Sequence, residues 1–407
     1  MKIGCYPVHH GSVGAVRTLG RAGVPMFAAI EDRFTPTAQS RYLRERFVWP
    51  TNGREDPSEL LAGMMVIGER IGKRAVLVAT DDETAVLVAK HADKLSRHYL
   101  LPPIAEDLPR RLASKHELVE ICAELGLPTL AAARPQSVED LLSRAEAFGF
   151  PVILKNDQAW ERLWRPGVPG TTIVRDAAAL ERLVSSWPSM MPGVVVQEYL
   201  PQECAEDWIT HLYCGRETGT VLAFTGVKLR SWPPRTGVTA LAVSTPNPEL
   251  RGLAVSFVRA LNYHGVADLD WRFDRRDGRY KLVDFNPRVG AQFRMFATED
   301  GIDVVRALHL DLTGRPVPLG RQVYDRRFIV GHLAAASALA ERQLAPHPPT
   351  PASSVEHAWL AADDPLPGLI AGVRSLRPII GFFARSLLAR TGLRVQAMRA
   401  RWSRAAT

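Results

Sequence analysis

The sequence predicts a mixed α/β protein with a parallel sheet near the N-terminus and an antiparallel, α+β sheet later in the chain. In the first 110 residues, strand-like apolar runs alternate with helix-like runs, as at residues 75–79 and the segment after them. Such alternation is typical of a parallel sheet covered by helices on both faces. After residue 194 the strand-like runs follow one another closely. At 407 residues the chain is long enough for two or three domains.

Composition is that of a globular protein, with 46% hydrophobic and 23% charged residues. The net charge of +8 comes from residues 371–407, which hold eight arginines and no acidic residue. The first 370 residues therefore carry as many basic as acidic side chains. Since a nucleic-acid surface needs basic residues gathered on the folded body, we expect no nucleic acid as a partner.

The four cysteines and the chain start indicate a cytoplasmic protein. Cys5, Cys122, Cys204 and Cys214 show neither a C-x-x-C spacing nor a pairing pattern, which fits a reducing compartment and argues against zinc or disulfides. Residues 1–6 read as a strand and lack the apolar core of a signal peptide. No run approaches the roughly 18 apolar residues of a spanning helix.

The N-terminal unit reads strand, loop, helix, strand over residues 3–30, and a second unit follows from residue 75. The pair Gly11 and Gly14 lies in the predicted loop. A dinucleotide site is one interpretation, but the full G-x-G-x-x-G pattern is missing. We therefore favour a tight strand–helix turn beside a substrate pocket.

The middle of the chain has clear boundaries. A helix is predicted from Ser114 or Lys115 to Leu125, and a second from a capping box at residues 137–140 to Gly149. Strands are predicted at residues 151–155, 194–199, 208–214, 221–228, 239–243, 266–273 and 280–285. The proline-rich residues 346–351 predict a stiff linker between the body and the basic tail.

Oxygen-bearing side chains gather late in the chain. Asp284 and Asn286 are two residues apart, so on a strand they share a face. A hairpin turn at residues 275–278 would bring Asp270 beside them. Such oxygen ligands suit Mg²⁺ shared with substrate phosphates. Asp268 competes with Asp270, because it lies on the same face, and an ordinary turn is the alternative for the Asn-Pro-Arg segment.

A basic segment stands between these strands. Lys228, Arg230 and Arg235 place three cations within eight positions of an otherwise neutral body. This cluster suits a substrate carboxylate or phosphate, and an exposed basic hairpin is the alternative.

The order and spacing of Lys115, Lys155, Glu198, Asp270 and the Asp284–Arg288 segment resemble the ATP-grasp superfamily. The similarity is to its predicted carboxylate–amine ligase branch, which includes D-aspartate ligase-like and carbamoyl-phosphate-synthase-like proteins. It covers roughly residues 1–320. The resemblance implies a Rossmann-like pre-ATP-grasp domain (1–110), a small subdomain with a lid loop (111–193), a catalytic subdomain (194–320) and a C-terminal extension (321–407).

The resemblance also implies roles for single residues. The nucleotide would contact the lysines Lys115 and Lys155 and an adenine hinge formed by Gln197, Glu198, Tyr199 and Leu200. Glu206 would bind the ribose, with Asp207 as its rival. The metal ligands would be Asp270, Asp284 and Asn286. Arg288 would steady an acyl-phosphate, with Lys228 and Arg235 on the substrate side.

The implied activity is an ATP- and Mg²⁺-dependent ligase, with Mn²⁺ as an alternative metal, that joins a small carboxylate to an amine through an acyl-phosphate. Amino acids or their derivatives are the implied substrates, and a homodimer is a further expectation. The alternatives are an ATP-grasp carboxylase or kinase, and a non-catalytic nucleotide-binding protein. The lid at residues 156–172 departs from the family, because it carries two tryptophans and two prolines besides its glycines.

The basic tail has apolar residues at helical spacing, namely Ile379, Ile380, Phe383 and Leu387. This pattern predicts either a helix at an anionic membrane surface or a helix packed on the body.

Overall fold

The computed structural model describes residues 10–51, 55–158, 167–168, 170–187, 192–216, 221–234, 236–341 and 352–375. The predicted first strand, most of the lid loop, Arg235, the proline-rich linker and the tail beyond residue 375 lie outside these ranges. Within them, no helix combines the length and apolar character that a membrane span requires.

The N-terminal part contains two pairs of parallel strands with helices between them. Its elements are α1 (His10–Gly20), β1 (Met26–Ile30), β2 (Leu43–Val48), α2 (Pro57–Ile71), β3 (Ala75–Val76), α3 (Asp82–Lys90), α4 (Ala92–Leu95) and β4 (Tyr99–Leu100). β1 pairs with β2 and β3 with β4, both in parallel. The predicted parallel pairing is confirmed.

The glycine pair of the predicted loop lies inside a helix, so the expectation of a strand–helix turn is wrong. α1 already begins at His10. A Cβ on Gly14 would lie 2.8 Å from Phe293 Cε1, and one on Gly11 would lie 3.2 Å from Ala291 Cα. These glycines let the helix pack closely against residues 290–294. Because protein atoms fill the space beside them, they do not form a phosphate-binding turn.

A smaller, four-stranded sheet follows. The elements are α5 (Leu108–Ala113), α6 (Lys115–Glu124), β5 (Ala132–Ala133), α7 (Val138–Phe148), β6 (Val152–Asn156), β7 (Thr172–Val174), α8 (Ala177–Val184) and β8 (Val194–Glu198), with strand order β5-β8-β6-β7. Val152 and Leu154 of β6 pack with Leu141 of α7 and Leu180 of α8 in one core. Since strand side chains alternate, Lys155 points to the opposite face.

A seven-stranded sheet forms the centre of the protein. It is built from β9 (Ala205–Cys214), β10 (Val221–Trp232), β11 (Val238–Ser244), β12 (Gly265–Asp274), β13 (Arg279–Asn286), β14 (Arg326–Ile329) and β15 (Ser354–His357), in the order β13-β12-β9-β10-β11-β14-β15. All neighbours are antiparallel except β14 and β15. The predicted antiparallel sheet is confirmed. Its later strands are connected by the helices α9 (Pro248–Ala260), α10 (Val304–Leu312) and α11 (Gly331–Glu341).

Each face of this sheet has its own apolar core. Leu269 and Trp271 of β12 pack with side chains of α6 and α9. On the other face, Ile209 and Tyr213 of β9 pack with side chains of α1 and α10. Alternation along β12 therefore turns Asp268 and Asp270 away from the Leu269 side, which positions both carboxylates for the site.

The C-terminal extension belongs to the body as far as residue 375, contrary to the expected separation by a linker. β15 extends the large sheet, and residues 366–375 are helical. Arg17 Nε of α1 lies 3.0 Å from Asp364 Oδ2, with side-chain exposures of 3% and 1%. This buried ion pair fixes the segment after β15 to the N-terminal part.

Candidate active site

Two strands of the large sheet bring the predicted oxygen ligands together. β12 and β13 form the expected hairpin, with Asp270 opposite Asp284 and Asp268 opposite Asn286. The register shifts between Asp270 and Trp271. Such a bulge re-aims side chains locally and is common beside active sites. The prediction that Asp270 lies next to Asp284 and Asn286 is confirmed as a statement about position.

Three lysines from three other elements converge on these carboxylates. Lys115 Nζ lies 2.9 Å and Lys155 Nζ 3.8 Å from the same Asp284 Oδ1. Lys228 Nζ of β10 lies 3.1 Å from Asp270 Oδ1. The site thus joins α6 and the small sheet to the large sheet.

Lys115 is held at the start of α6 by a local capping network. Ser114 is the N-cap, and its hydroxyl accepts from the Glu117 backbone N–H. The Lys115 N–H donates to the Asp157 carbonyl at 3.0 Å. The Asp157 carboxylate also accepts from Ser114 Oγ and from the His116 N–H. The end of β6 therefore fixes where α6 begins.

The charges of the site shift its ionisation. Burial alone would raise the pKa of Asp284, but Lys115 and Lys155 outweigh it and lower the pKa to about 2. Burial raises the pKa of Asp270, and the neighbouring carboxylates Asp268 and Asp284 add to this. Burial lowers the pKa of Lys155, with Lys115 opposing its charge as well. Asp284 is therefore the firmly ionised carboxylate of the pair.

A cleft of about 160 Å³ lies between the small and the large sheet. Its lining includes Lys155, Lys228, Asp270, Asp284 and the predicted adenine hinge, residues 197–200. A larger cavity of about 790 Å³ borders β1 and β3 but touches none of the predicted site residues. We place the site in the smaller cleft, because the charged groups converge there.

Glu206 and its rival Asp207 have different surroundings, and of the other predicted residues Lys115, Asn286 and Arg288 do not line the cleft themselves. The Glu206 carboxylate lies 2.9 Å from Arg275 Nη2 and accepts from Trp208 Nε1, and it is not part of the cleft lining. Asp207, its rival, lines the cleft and lies 2.8 Å from Arg272 Nε. The geometry favours Asp207.

The basic segment does not act as one cluster. Lys228 faces Asp270, whereas Arg230 lies 2.9 Å from Glu341 Oε2 of α11. Register shifts of β10 against β11 on either side of Arg230 explain the divergence. Arg235 lies outside the described residues, and its role stays a prediction.

Arg288 contacts two carboxylates from different parts of the chain. Its Nη1 lies 2.9 Å from Asp268 Oδ2, and its Nε lies 3.4 Å from Asp82 Oδ1 of α3. His211 Nε2 of β9 approaches the other Asp268 oxygen at 2.7 Å. Sequence reasoning missed His211, Asp82 and Asp157. Asp82 and Asp157 had only weak local signals, and His211 had none.

The donor set fits a hard divalent cation. Among the described residues, no three His, Cys, Asp or Glu side chains form a metal cluster of their own. Two opposed carboxylates and one carboxamide instead match a cation whose coordination is completed by phosphate and water oxygens. Asp284 Oδ1 is buried, and its contacts within the described residues are the ammonium groups of Lys115 and Lys155. The Asn286 nitrogen donates to the Asp268 carbonyl at 3.1 Å, which leaves the amide oxygen for a ligand.

Comparisons with known proteins agree with this geometry. The chain is 25% identical over 294 residues to a D-aspartate ligase of Enterococcus faecium. This aligned region covers 69% of the present chain and 68% of the relative. It is 24% identical over 207 residues to the N-terminal section of the carbamoyl phosphate synthase large chain of Methanopyrus kandleri, covering 48% of this chain and 35% of the relative. No family model matches the chain.

Solved structures share the fold at low sequence identity. The N5-carboxyaminoimidazole synthetase of Staphylococcus aureus, complexed with ADP, has a TM-score of 0.59, 11% identity and 78% coverage of both chains. The biotin carboxylase domain of the Hydrogenobacter thermophilus 2-oxoglutarate carboxylase, complexed with MgADP, has a TM-score of 0.58 and 15% identity, covering 77% of this chain and 69% of its own. The chain has the ATP-grasp fold, and its sequence relatives show that it is an ATP-grasp protein similar to carboxylate–amine ligases.

Proposed function

We propose that this protein is an ATP-dependent ligase that joins a small carboxylate to an amine. The observation that carries the proposal is the convergence of Lys115, Lys155 and Lys228 on the paired carboxylates Asp270 and Asp284, which line the cleft. Three ammonium groups beside two carboxylates match a triphosphate bound together with a divalent cation. The similarity to a D-aspartate ligase favours amide formation over the other ATP-grasp reactions.

In the proposed reaction, a substrate carboxylate oxygen attacks the γ-phosphorus of ATP, giving an acyl-phosphate and ADP. The amine then attacks the acyl carbon, the C–O bond to phosphate breaks, and an amide and inorganic phosphate leave. Little covalent chemistry falls to the protein, which has to position the reactants and offset their charge.

The nucleotide is assigned to the cleft between the sheets. Lys115 and Lys155 offset the phosphate charge, and the hinge residues 197–200 contact the adenine. We assign ribose binding to Asp207 instead of Glu206, because Asp207 lines the cleft. Arg272 supports this arrangement, since its guanidinium contacts both Asp207 and the Leu200 carbonyl.

Asp270, Asp284 and Asn286 would hold Mg²⁺, which supplies charge neutralisation at the phosphates when bound. Lys228 contacts Asp270 at the side of the cleft formed by β10. We assign Arg288 to the transferring phosphoryl group, because a guanidinium presents a planar fork of donors.

The test of the function is an ADP-release screen of paired carboxylates and amines, with mass spectrometry of the product. Acidic amino acids are the first carboxylates to try, given the D-aspartate ligase relative. ADP together with an amide supports the proposal. ADP with a carboxylated or phosphorylated product and no amide would identify a carboxylase or kinase, and nucleotide binding without any ADP would identify a non-catalytic protein.

The ribose assignment has a separate test in a matched pair of neighbours. Asp207→Asn should raise KM for ATP about tenfold, the loss expected for one charged hydrogen bond. Glu206→Gln should change it less than about twofold. A larger effect in Glu206→Gln than in Asp207→Asn would restore the assignment to Glu206.

A further inference from the structure

A buried charge cluster lies beside the metal-ligand pair, and apart from Arg288 its members have no role in the reaction described so far. Its centre is Asp268, which is 2% exposed, and His211 beside it is fully buried. His211 Nε2 lies 2.7 Å from one Asp268 oxygen, and Arg288 Nη1 lies 2.9 Å from the other. One carboxylate therefore joins β9, β12 and the segment after β13.

The contacts of Arg288 fix its guanidinium from two directions. Asp268 holds Nη1, and Asp82 of α3 lies 3.4 Å from Nε. Nη1 also donates to the Val289 carbonyl at 3.3 Å. In the part of the chain that the structure describes, these contacts use Nε and Nη1, which leaves Nη2 of the fork for a ligand.

Asp268 also orders the neighbouring carboxamide. Its backbone carbonyl accepts from Asn286 Nδ2 at 3.1 Å. In sequence it stands two residues before Asp270, on the same face of β12. The same residue thus touches both the arginine and a member of the oxygen-ligand set.

Gly290 is an independent sign that this cluster needs its space. A Cβ there would lie 2.3 Å from His211 Cε1 and 2.6 Å from Asp268 Oδ2. Contacts this short do not occur, so any side chain would displace the pair. The backbone after Arg288 is therefore shaped around the Asp268 carboxylate.

We propose that Asp268, supported by His211, is a positioning residue that orients Arg288 toward the transferring group. The inference rests on the proposed function for the role of Arg288, whereas the contacts themselves do not depend on it. A buried ion is destabilised unless an opposite charge pairs with it, so removing Asp268 would leave the buried Arg288 charge without that partner. Loss of Asp268 should therefore free Arg288 to adopt other rotamers and contacts.

The first test is a double-mutant cycle on kcat for ADP formation with Asp268→Asn and Arg288→Met. If Asp268 acts through Arg288, Asp268→Asn alone should lower kcat about 10- to 100-fold, the range seen for residues that hold the ligands of metal sites in place. The double variant should match Arg288→Met within about threefold. KM for ATP should change less than about threefold, because Lys155 and the hinge are untouched. A double variant at least tenfold slower than Arg288→Met would overturn the proposal.

His211 and Gly290 provide conservative and matched variants. His211→Gln keeps an N–H donor and should retain more kcat than His211→Ala. Gly290→Ala should lower kcat as Asp268→Asn does, whereas Gly252→Ala in α9, where no atom lies within 4 Å of the added methyl, should leave kcat unchanged. Equal kcat in Gly290→Ala and Gly252→Ala would also contradict the proposal.

Failure of the function and failure of this inference can be told apart. If the wild-type protein forms ADP but no amide, the proposed ligase activity is wrong, and the kcat cycle still reports on Arg288. If the wild-type protein forms no ADP, the double-mutant cycle of Asp268→Asn and Arg288→Met is measured on the equilibrium constant of unfolding instead of kcat. Coupling between Asp268 and Arg288 of tenfold or more then supports the pair, and additive effects within about threefold refute it.

Discussion

Replacing Asp284 with Asn should abolish most ATP turnover while the fold is kept. The substitution preserves the volume of the side chain and removes the charge that faces Lys115 at 2.9 Å and Lys155 at 3.8 Å. It also replaces a carboxylate of the proposed cation site with a neutral amide. Removal of one preorganised electrostatic group from an active site costs about 10²–10³ in kcat, or about 3–4 kcal/mol of transition-state stabilisation. We expect at least this loss.

The cost in stability can be worked out from the same distances. At an effective dielectric constant of about 20, the contacts of Asp284 with Lys115 and Lys155 have gross Coulomb energies of about 6 and about 4 kcal/mol. Desolvation offsets much of this, and breaking a buried pair costs about 3–5 kcal/mol net. The Asp284 side chain is 26% exposed, so we expect the free energy of unfolding to fall by about 2–3 kcal/mol.

Asp274, the last residue of β12, offers a matched control for Asp284. Its Oδ2 lies 2.7 Å from both Arg276 Nη2 and Lys281 Nζ, so it also holds two cations, but it does not line the cleft. Asp274→Asn should lose a similar free energy of unfolding and keep kcat within about threefold. Urea unfolding and ADP release measured on both variants separate the two effects. ADP formation by folded Asp284→Asn within tenfold of wild type, or an equal loss of kcat in Asp274→Asn, would refute the assigned role.

Three further predictions concern stability. The Arg276 guanidinium holds the pKa of Asp274 well below its usual range, while Lys281 adds to this shift and burial opposes it. The ionised Asp274 therefore stabilises the fold above about pH 4, and this stabilisation is lost as the pH falls further. The difference in unfolding free energy between wild type and Asp274→Asn should shrink below about pH 4. Asp364→Asn should lower the free energy of unfolding by about 3 kcal/mol in a urea titration, because it breaks an ion pair with Arg17 that is almost fully buried. Asp32→Asn breaks the exposed ion pair with Arg374 and should lower it by less than about 0.5 kcal/mol. Equal losses would mean that the buried pair does not hold the C-terminal segment. Gly14→Ala should destabilise by about 1–3 kcal/mol through overpacking against Phe293, and Gly252→Ala, on an open helix surface, should stabilise by about 0.5–1 kcal/mol; a Gly14→Ala variant with an unchanged melting temperature would contradict the packing argument.

Local sequence signals were sufficient for the elements whose form depends on neighbours in the chain. The hairpin of β12 and β13 follows from two apolar strands and the turn at residues 275–278, and its register places Asp270 opposite Asp284. Ser137 is an N-cap, as its capping-box pattern predicted, and α6 begins at Lys115, one of the two predicted starts. The start of α1 was misjudged, because glycines that serve close helix packing look the same in sequence as glycines of a turn.

The remaining features depend on contacts between distant parts of the chain. β14 and β15 are four-residue strands, too short to show a period, and they exist because the edge of the large sheet accepts them. Residues 352–375 return to the body because Asp364 meets Arg17, which lies 347 positions earlier. A sequence pattern that reads only neighbouring residues gives no sign of either pairing.

The cluster around Asp268 shows most clearly why a site can be only half predicted. Spacing placed Asp268 and Asp270 on one face of a strand, with Asp270 favoured as the metal ligand and Asp268 as its competitor. What distinguishes them is the neighbour on each side. Asp268 is opposite His211 of β9, a residue with no sequence signal, and it is closed off by Arg288, whereas Asp270 faces Lys228 and the cleft. Two identical side chains on one strand face thus differ in chemistry because their partners come from other strands, and a sheet's strand order has to be known before such partners can be assigned.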